Sequence, residues 1–412
     1  MTDGPVAASA VPDWWVYRGH WGEPRTRAYL PPGIPEPPPW RSFGLHKLVP
    51  PEKETALRSR DPSNSRLPVP PPETGEAASW DEQAAVAYRG DREAHDLVNA
   101  AIQLRRPLLV TGPPGTGKTT LAASVARELG LGPVLRWGIT SRSTLREGLY
   151  EYDVLGRLHD MNLRKTVPPD AAWCRPGSGP GDTRTRKDAG WSEHTGGAEG
   201  TGRSGDVGRS GDVGRSGDIG RHEDIGKYVR LGALGDALLP RRRPRVLLID
   251  EIDKSDVDLP NDLLHVFETG GYEIPELRRV AESPVRVLSW DGNDRVPVHD
   301  GRVRCAQFPL VILTSNGDRE FPPAFRRRCL FLTLKRPEGE RLHEILRAHV
   351  PELKDLSQVA DVLEKYKGLT TAGRQLSPDQ LINAVRLRLT AQLGPDDLET
   401  ITNAVFHSLS GV

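Results

Sequence analysis

Short runs of consecutive apolar residues punctuate the middle of the chain, and each is bounded by polar or turn-forming positions. Runs at 107–111, 133–139, 245–250, 309–314 and 329–334 have the length of strands, and strands buried on both faces of a parallel sheet carry little alternation. Between most of them the apolar spacing changes to three and four, as in Ala94, Leu97, Val98, Ala101 and Ile102, which predicts helices packed on the sheet. Strands alternating with helices predict an α/β domain over 86–335. From 336 to 412 only the helical rhythm remains. Leu342, Ile345 and Leu346 open it, and three further groups follow, around 356–363, 381–385 and 401–409. This predicts a small all-helical subdomain.

Two stretches break the rhythm. In 1–85, Trp14, Trp15, Tyr17, Trp21 and Trp40 stand among many prolines, including Pro35 and Pro37 to Pro39. Proline density excludes α-helix and favours extended or polyproline-like backbone. The aromatics either pack on the following domain or dock a partner. Pro68 to Pro72 predicts a linker. The second stretch, 166–225, contains a six-residue repeat, Arg203-Ser204-Gly205-Asp206-Val207-Gly208, copied at 209–214 and 215–220 and degenerate at 221–226. One apolar residue in six builds no core, so a mobile insert is expected.

The chemistry sits at the ends of the predicted strands. After the first comes Gly112-Pro113-Pro114-Gly115-Thr116-Gly117-Lys118-Thr119, a complete P-loop between a strand and a helix. Its glycines let backbone N–H groups approach phosphate oxygens. Lys118 supplies positive charge to the outer phosphates, Thr119 a hydroxyl for magnesium, and Thr120 continues the helix start that faces the anion. The run Val246-Leu247-Leu248-Ile249 ends in Asp250 and Glu251. Asp250 is placed to hold the magnesium shell with Thr119. Glu251 is placed to orient and deprotonate a water. The expected cofactors are therefore ATP and Mg2+.

With its P-loop, Leu247-Leu248-Ile249-Asp250-Glu251-Ile252-Asp253-Lys254, Val311-Ile312-Leu313-Thr314-Ser315-Asn316-Gly317 and Pro323-Ala324-Phe325-Arg326-Arg327-Arg328-Cys329 in this order, the chain resembles an AAA+ ATPase, and most closely the MoxR-like branch. The resemblance implies a P-loop core with a parallel five-stranded sheet and a helical lid. It implies Asn316 as the polar sensor and an arginine finger that reaches a neighbouring subunit, Arg328 first and Arg327 second. Arg374, in Ala372-Gly373-Arg374, matches a second sensor carried by the lid. Around 272–298 the alternation suggests a β-hairpin, which matches the one this branch inserts. It further implies a homo-oligomeric ring, commonly a hexamer, that acts as a chaperone or remodeller of a protein client, in this branch often with a von Willebrand A-domain partner.

Composition narrows the alternatives without choosing among them. Lysine plus arginine equals aspartate plus glutamate, 56 each, so no global charge draws the chain to nucleic acid or anionic membrane. A nucleic-acid motor is disfavoured, although Arg241-Arg242-Arg243 keeps it open, and a slow nucleotide-gated switch is the main alternative. Cys174, Cys305 and Cys329 form no C-x-x-C pair, which fits a reducing, cytoplasmic setting. Neither a signal peptide nor an apolar run of membrane-spanning length is expected.

Overall fold

The computed structural model describes residues 11–19, 33–43, 85–166, 225–280, 283–390, 402 and 404–406. The six-residue repeat, Cys174, Trp21, the 68–72 linker and most of the last predicted helix lie outside these residues.

Helix α1 (Arg92–Leu104) leads into β1 (Leu108–Thr111), and the P-loop joins β1 to α2 (Lys118–Glu128). Next come β2 (Leu135–Gly138), the single turn α3 (Leu145–Leu149), β3 (Tyr150–Tyr152) and α4 (Val154–Thr166). Beyond the insert lie β4 (Val229–Leu231), α5 (Ala233–Ala237), β5 (Val246–Asp250) and α6 (Leu259–Thr269). The segment β6 (Gly271–Glu273), α7 (Pro275–Arg278), β7 (Val285–Leu288), β8 (Arg295–Val298) and β9 (Arg302–Arg304) precedes β10 (Leu310–Ser315). Helix α8 (Pro323–Arg328) and β11 (Leu330–Thr333) complete the α/β part.

Five strands form a parallel sheet in the order β11-β1-β10-β5-β2, and each coincides with one of the apolar runs. In β1, β5 and β10 the absence of alternation is explained by burial on both sides, whereas the edge strands β2 and β11 keep exposed positions. Along β5, Val246 and Leu248 join a core with α1 and α2, through Val98, Ile102, Leu121 and Val125. Leu247 and Ile249 face the opposite core, with Phe267, Phe308 and Phe325. A strand between two apolar layers has no polar face to display.

The sequence-predicted hairpin is present, formed by β7 and β8 as an antiparallel pair in a second sheet of order β3-β4-β7-β8. The earlier part of that region differs from the expectation. Gly271–Glu273 pairs with Arg302–Arg304, and Pro275 starts a helical turn. Its fixed φ and missing N–H suit a helix's first turn better than a ladder.

The C-terminal helices α9 (Gly339–His349), α10 (Ala360–Thr371) and α11 (Pro378–Thr390) enclose a third core, built from Leu342, Leu346, Val362, Leu363, Leu381 and Val385. Ser377 caps α11: its amide donates to Gln380 Oε1 (2.9 Å), and Gln380 N donates to its hydroxyl (3.4 Å).

Two described pieces of the N-terminal segment clasp the α/β part, and neither contains an α-helix. Asn99 of α1 accepts the amides of Val16 (2.7 Å) and Tyr17 (2.9 Å) and returns a bond to Tyr17 O (2.7 Å). Tyr17 is fully buried, bonds Ser124 of α2 (2.9 Å) and stacks on His95. Trp15 stacks on the same imidazole, and its indole donates to Asp96 (2.8 Å). Farther on, Arg105 holds Pro35 O (2.7 Å), and Phe43 N bonds Ala306 O (3.1 Å). Packing on the domain is therefore what Trp15 and Tyr17 do, while Trp14 and Trp40 are 45% and 71% exposed.

Candidate functional site

The carboxyl ends of β1, β5 and β10 meet beneath α9 and α11 and enclose a cleft of ≈ 350 Å³. Its floor is the P-loop from Pro114 to Thr120, with Asp250, Glu251, Thr314 and Asn316. Its roof is Pro337, Ile345, His349, Pro378, Asp379 and Ile382, and Ala87, Tyr88 and Arg89 close one side.

The loop bends as its glycines require. Gly112, Gly115 and Gly117 have φ of +145°, +76° and +88°, and a Cβ on Gly112 would lie 2.4 Å from Leu334 O. Lys118 Nζ folds back over the loop and donates to Gly112 O (2.6 Å), Pro113 O (3.0 Å) and Asn316 Oδ1 (2.8 Å). Burial lowers the Lys118 pKa, opposed by the carboxylates of Asp253, Asp250, Glu251 and Asp318. Thr116 Oγ1 bonds Pro113 O (2.9 Å) and pins the middle of the loop.

Thr119 Oγ1 lies 3.3 and 3.4 Å from the two oxygens of Asp250. A hydroxyl and a carboxylate this close form a hard-oxygen pair that suits magnesium, with phosphate and water completing the shell. Thr314 ties the two acidic residues together: its hydroxyl donates to Asp250 Oδ1 and accepts Glu251 N (2.9 Å). Glu251 has left-handed backbone, φ +61°, uncommon outside glycine and typical of residues held for function. Its carboxylate meets Lys254 Nζ at 2.7 Å and is 43% exposed. Buried Asp253 accepts the amides of Asn316 (2.9 Å) and Asp318 (3.3 Å), which fixes the turn that carries Asn316.

The sequence-predicted P-loop residues, Asp250, Glu251 and Asn316 are thus brought together. The three arginines are not, and they differ among themselves. Arg328 is bound within the chain, by Nε to Glu268 Oε1 (2.6 Å) and by Nη1 to Ala324 O (3.2 Å). Arg326 lies over the Phe331 ring, 5.5 Å from its centroid. Arg327 is exposed, and its guanidinium has no partner among the described residues. Arg374 is exposed and outside the cleft lining. Asp379 occupies the roof instead; burial raises its pKa, and His349 opposes the shift. Spacing gave no sign of Thr314, Tyr88, His349 or Asp379.

Residues 108–153 match the family model of the ATPase family associated with various cellular activities (AAA). Over that stretch the chain is similar to AAA ATPases. The matched stretch contains β1, the whole P-loop, α2 and β2, and the five-stranded parallel sheet with its helical neighbour is consistent with a P-loop AAA core. Nucleotide binding and ATPase activity are the properties of this domain type. No curated protein matches the chain. Arg241 pairs with Asp236 at 2.8 Å and Arg243 donates to Gly130 O, so two of the three arginines at 241–243 are engaged internally. Cys305 and Cys329 are buried free thiols, each pushed up to about 12 by burial. Among the described residues no helix is long and apolar enough to cross a membrane.

Proposed function

We propose that the chain is a magnesium-dependent ATPase of MoxR-like type that works as a cytoplasmic homo-oligomeric ring to remodel a protein client. The convergence of Lys118, Asp250, Glu251 and Asn316 on one loop of exposed backbone amides carries the reading. The base enters the apolar slot of Ala87, Tyr88, Ile345 and Ile382, and the phosphates follow the loop toward Lys118. Thr119 and Asp250 would hold the magnesium ion, which would supply neutralising charge to the phosphates. Asn316 positions the attacking water, and Glu251 accepts its proton once it leaves Lys254.

The finger is supplied in trans. Arg327 is the better candidate than Arg328, because Arg328 is already neutralised by Glu268, whereas an exposed guanidinium is free to reach a neighbour's phosphate. A ring, in this branch commonly a hexamer, follows from such sharing, and the β7–β8 hairpin is its client-facing element. A von Willebrand A-domain protein is the partner to test first.

ATP turnover across protein concentration tests this, with particle mass recorded alongside, for wild type, Glu251→Gln, Arg327→Ala and Arg328→Ala. Turnover should rise with assembly, vanish in Glu251→Gln and fall roughly a thousandfold in Arg327→Ala, the lower end of arginine-finger effects. Turnover in a monomer would replace the ring with a nucleotide-gated switch.

A further inference from the structure

The lid meets the phosphate loop at one glycine. A Cβ on Gly115 would lie 2.7 Å from Ser377 Cβ, 3.1 Å from Pro378 Cδ and 3.3 Å from Asp379 Oδ2. The second residue of α11 therefore holds a carboxylate against the loop. Lys118 Nζ marks which end of the loop this is. It bonds the carbonyls of Gly112 and Pro113 and the side chain of Asn316, so the segment from Gly112 to Gly115 borders the outer phosphates, which a P-loop lysine reaches. Thr120, one residue past the metal-binding Thr119 at the start of α2, borders the inner one. No ion pair among the described residues involves Asp379, and His349 is the titratable neighbour on its own side. The arginine expected on the lid, Arg374, stands outside the cleft.

We propose that Asp379 sets the nucleotide preference of the cleft: with the lid seated on Gly115, its carboxylate repels the terminal phosphate of a triphosphate and tolerates a diphosphate. The proposal rests on the nucleotide reading of the site. Like charges within a few ångströms in a partly solvated cleft repel strongly enough to shift a binding ratio, and the third phosphate is the group that adds the charge. Seating on Gly115 then suits the product, and substrate entry displaces α11. The energy of the terminal phosphate is thereby coupled to the position of the lid.

The test uses the full chain at fixed magnesium and compares dissociation constants for ADP and for the β,γ-imido analogue of ATP. Wild type, Asp379→Asn and Asp379→Ala are measured, with melting temperatures recorded to show that each variant is folded. Both variants should shift the ratio toward the triphosphate by roughly tenfold, the size of one removed charge at such a site. The shift should shrink as ionic strength rises, because it is electrostatic. An unchanged ratio, or equal changes for both nucleotides, would overturn the proposal and leave Asp379 as a packing residue. Wild-type protein that binds neither nucleotide would overturn the site reading as well, and is a different result.

Discussion

On the floor of the cleft, Lys118 bonds Asn316, Asn316 hangs from Asp253, Thr119 touches Asp250, and Thr314 joins Asp250 to Glu251. On the roof, Ile382 belongs to the separate core of α9, α10 and α11, and His349 and Pro378 stand on two of those helices. The floor is a polar mesh set in a sheet with apolar layers on both sides. The roof is a helical body whose contacts with the rest include the one at Gly115 and Arg341, which donates to Arg89 O (3.0 Å) and Asp91 (3.2 Å). The difference assigns the work. Chemistry needs groups that do not reorganise, and the mesh supplies them. Opening and closing over a ligand needs a body that moves as a unit, and helices with a core of their own have that construction.

The largest expected effect comes from behind the floor. Tyr17 is fully buried against α1 and α2, the latter being the P-loop helix, and it bonds Ser124. Tyr17→Ala should destabilise the α/β part by about 3–5 kcal/mol, the usual cost of emptying a buried aromatic site. Thermal unfolding reads this directly. A shift confined to the lid transition, with the α/β part unmoved, would show that the clasp is not part of the floor.

Within the mesh, Thr314→Val keeps shape and removes the hydroxyl between the two carboxylates. Glu251 N loses its acceptor and Asp250 its donor, so turnover should fall by roughly a hundredfold through misplacement of both groups. ATP affinity should change much less. A change in affinity alone, with turnover at saturation intact, would mean that Thr314 serves binding and not the geometry of Glu251.

How far the sequence foretold this arrangement depends on how local each signal was. The three central strands were legible because burial on two faces leaves unbroken apolar runs, as in Val246 to Ile249, and the edge strands β2 and β11, with exposed positions, by the length and bounds of their runs. The P-loop was legible because its glycines and lysine are contiguous. Thr314 was not, since its role depends on the register that sets Leu313 beside Ile249 and hence Thr314 beside Asp250. Asn99 gripping the backbone of Val16 and Tyr17 is a contact across more than eighty residues, and no periodicity encodes it. On the lid, the Ala-Gly-Arg triplet drew the reading to Arg374, but α11 starts at Pro378, and the seat of that helix on Gly115 decides which residue faces the loop.

Gly115→Ala acts at the seam between floor and roof. The added methyl would collide with Ser377 and Pro378, and φ of +76° is itself unfavourable for alanine, at about 1–2 kcal/mol. The mesh does not pass through this residue, so the sheet should stay folded while the lid is pushed off its seat. Affinity for the diphosphate should fall by roughly tenfold, and affinity for the triphosphate by less. Protease accessibility of α11 should rise in the same variant. A drop in affinity with an unmoved lid would place the damage in the loop backbone and weaken the claim that Gly115 is the hinge contact.

The smallest expected effect is a pH dependence that belongs to the clasp. His95 lies between the rings of Trp15 and Tyr17, and its Nδ1 meets Asp91 O at 2.8 Å. Burial lowers its pKa below the ordinary 6.5; the Asp91 carbonyl, Asp91 and Asp96 oppose this, and Arg341 adds to it. The unfolded chain therefore takes up the proton first as the medium is acidified. Stability from this residue is complete above about pH 6.5 and declines as pH falls below it toward the lowered folded value. Melting temperature followed downward from pH 8 should slope more gently in His95→Phe than in wild type over that window. His349 and Asp379 line the cleft and give nucleotide affinity a pH dependence of its own, which His95→Phe should leave unchanged. A change of that affinity profile in His95→Phe would show that the clasp and the cleft are coupled.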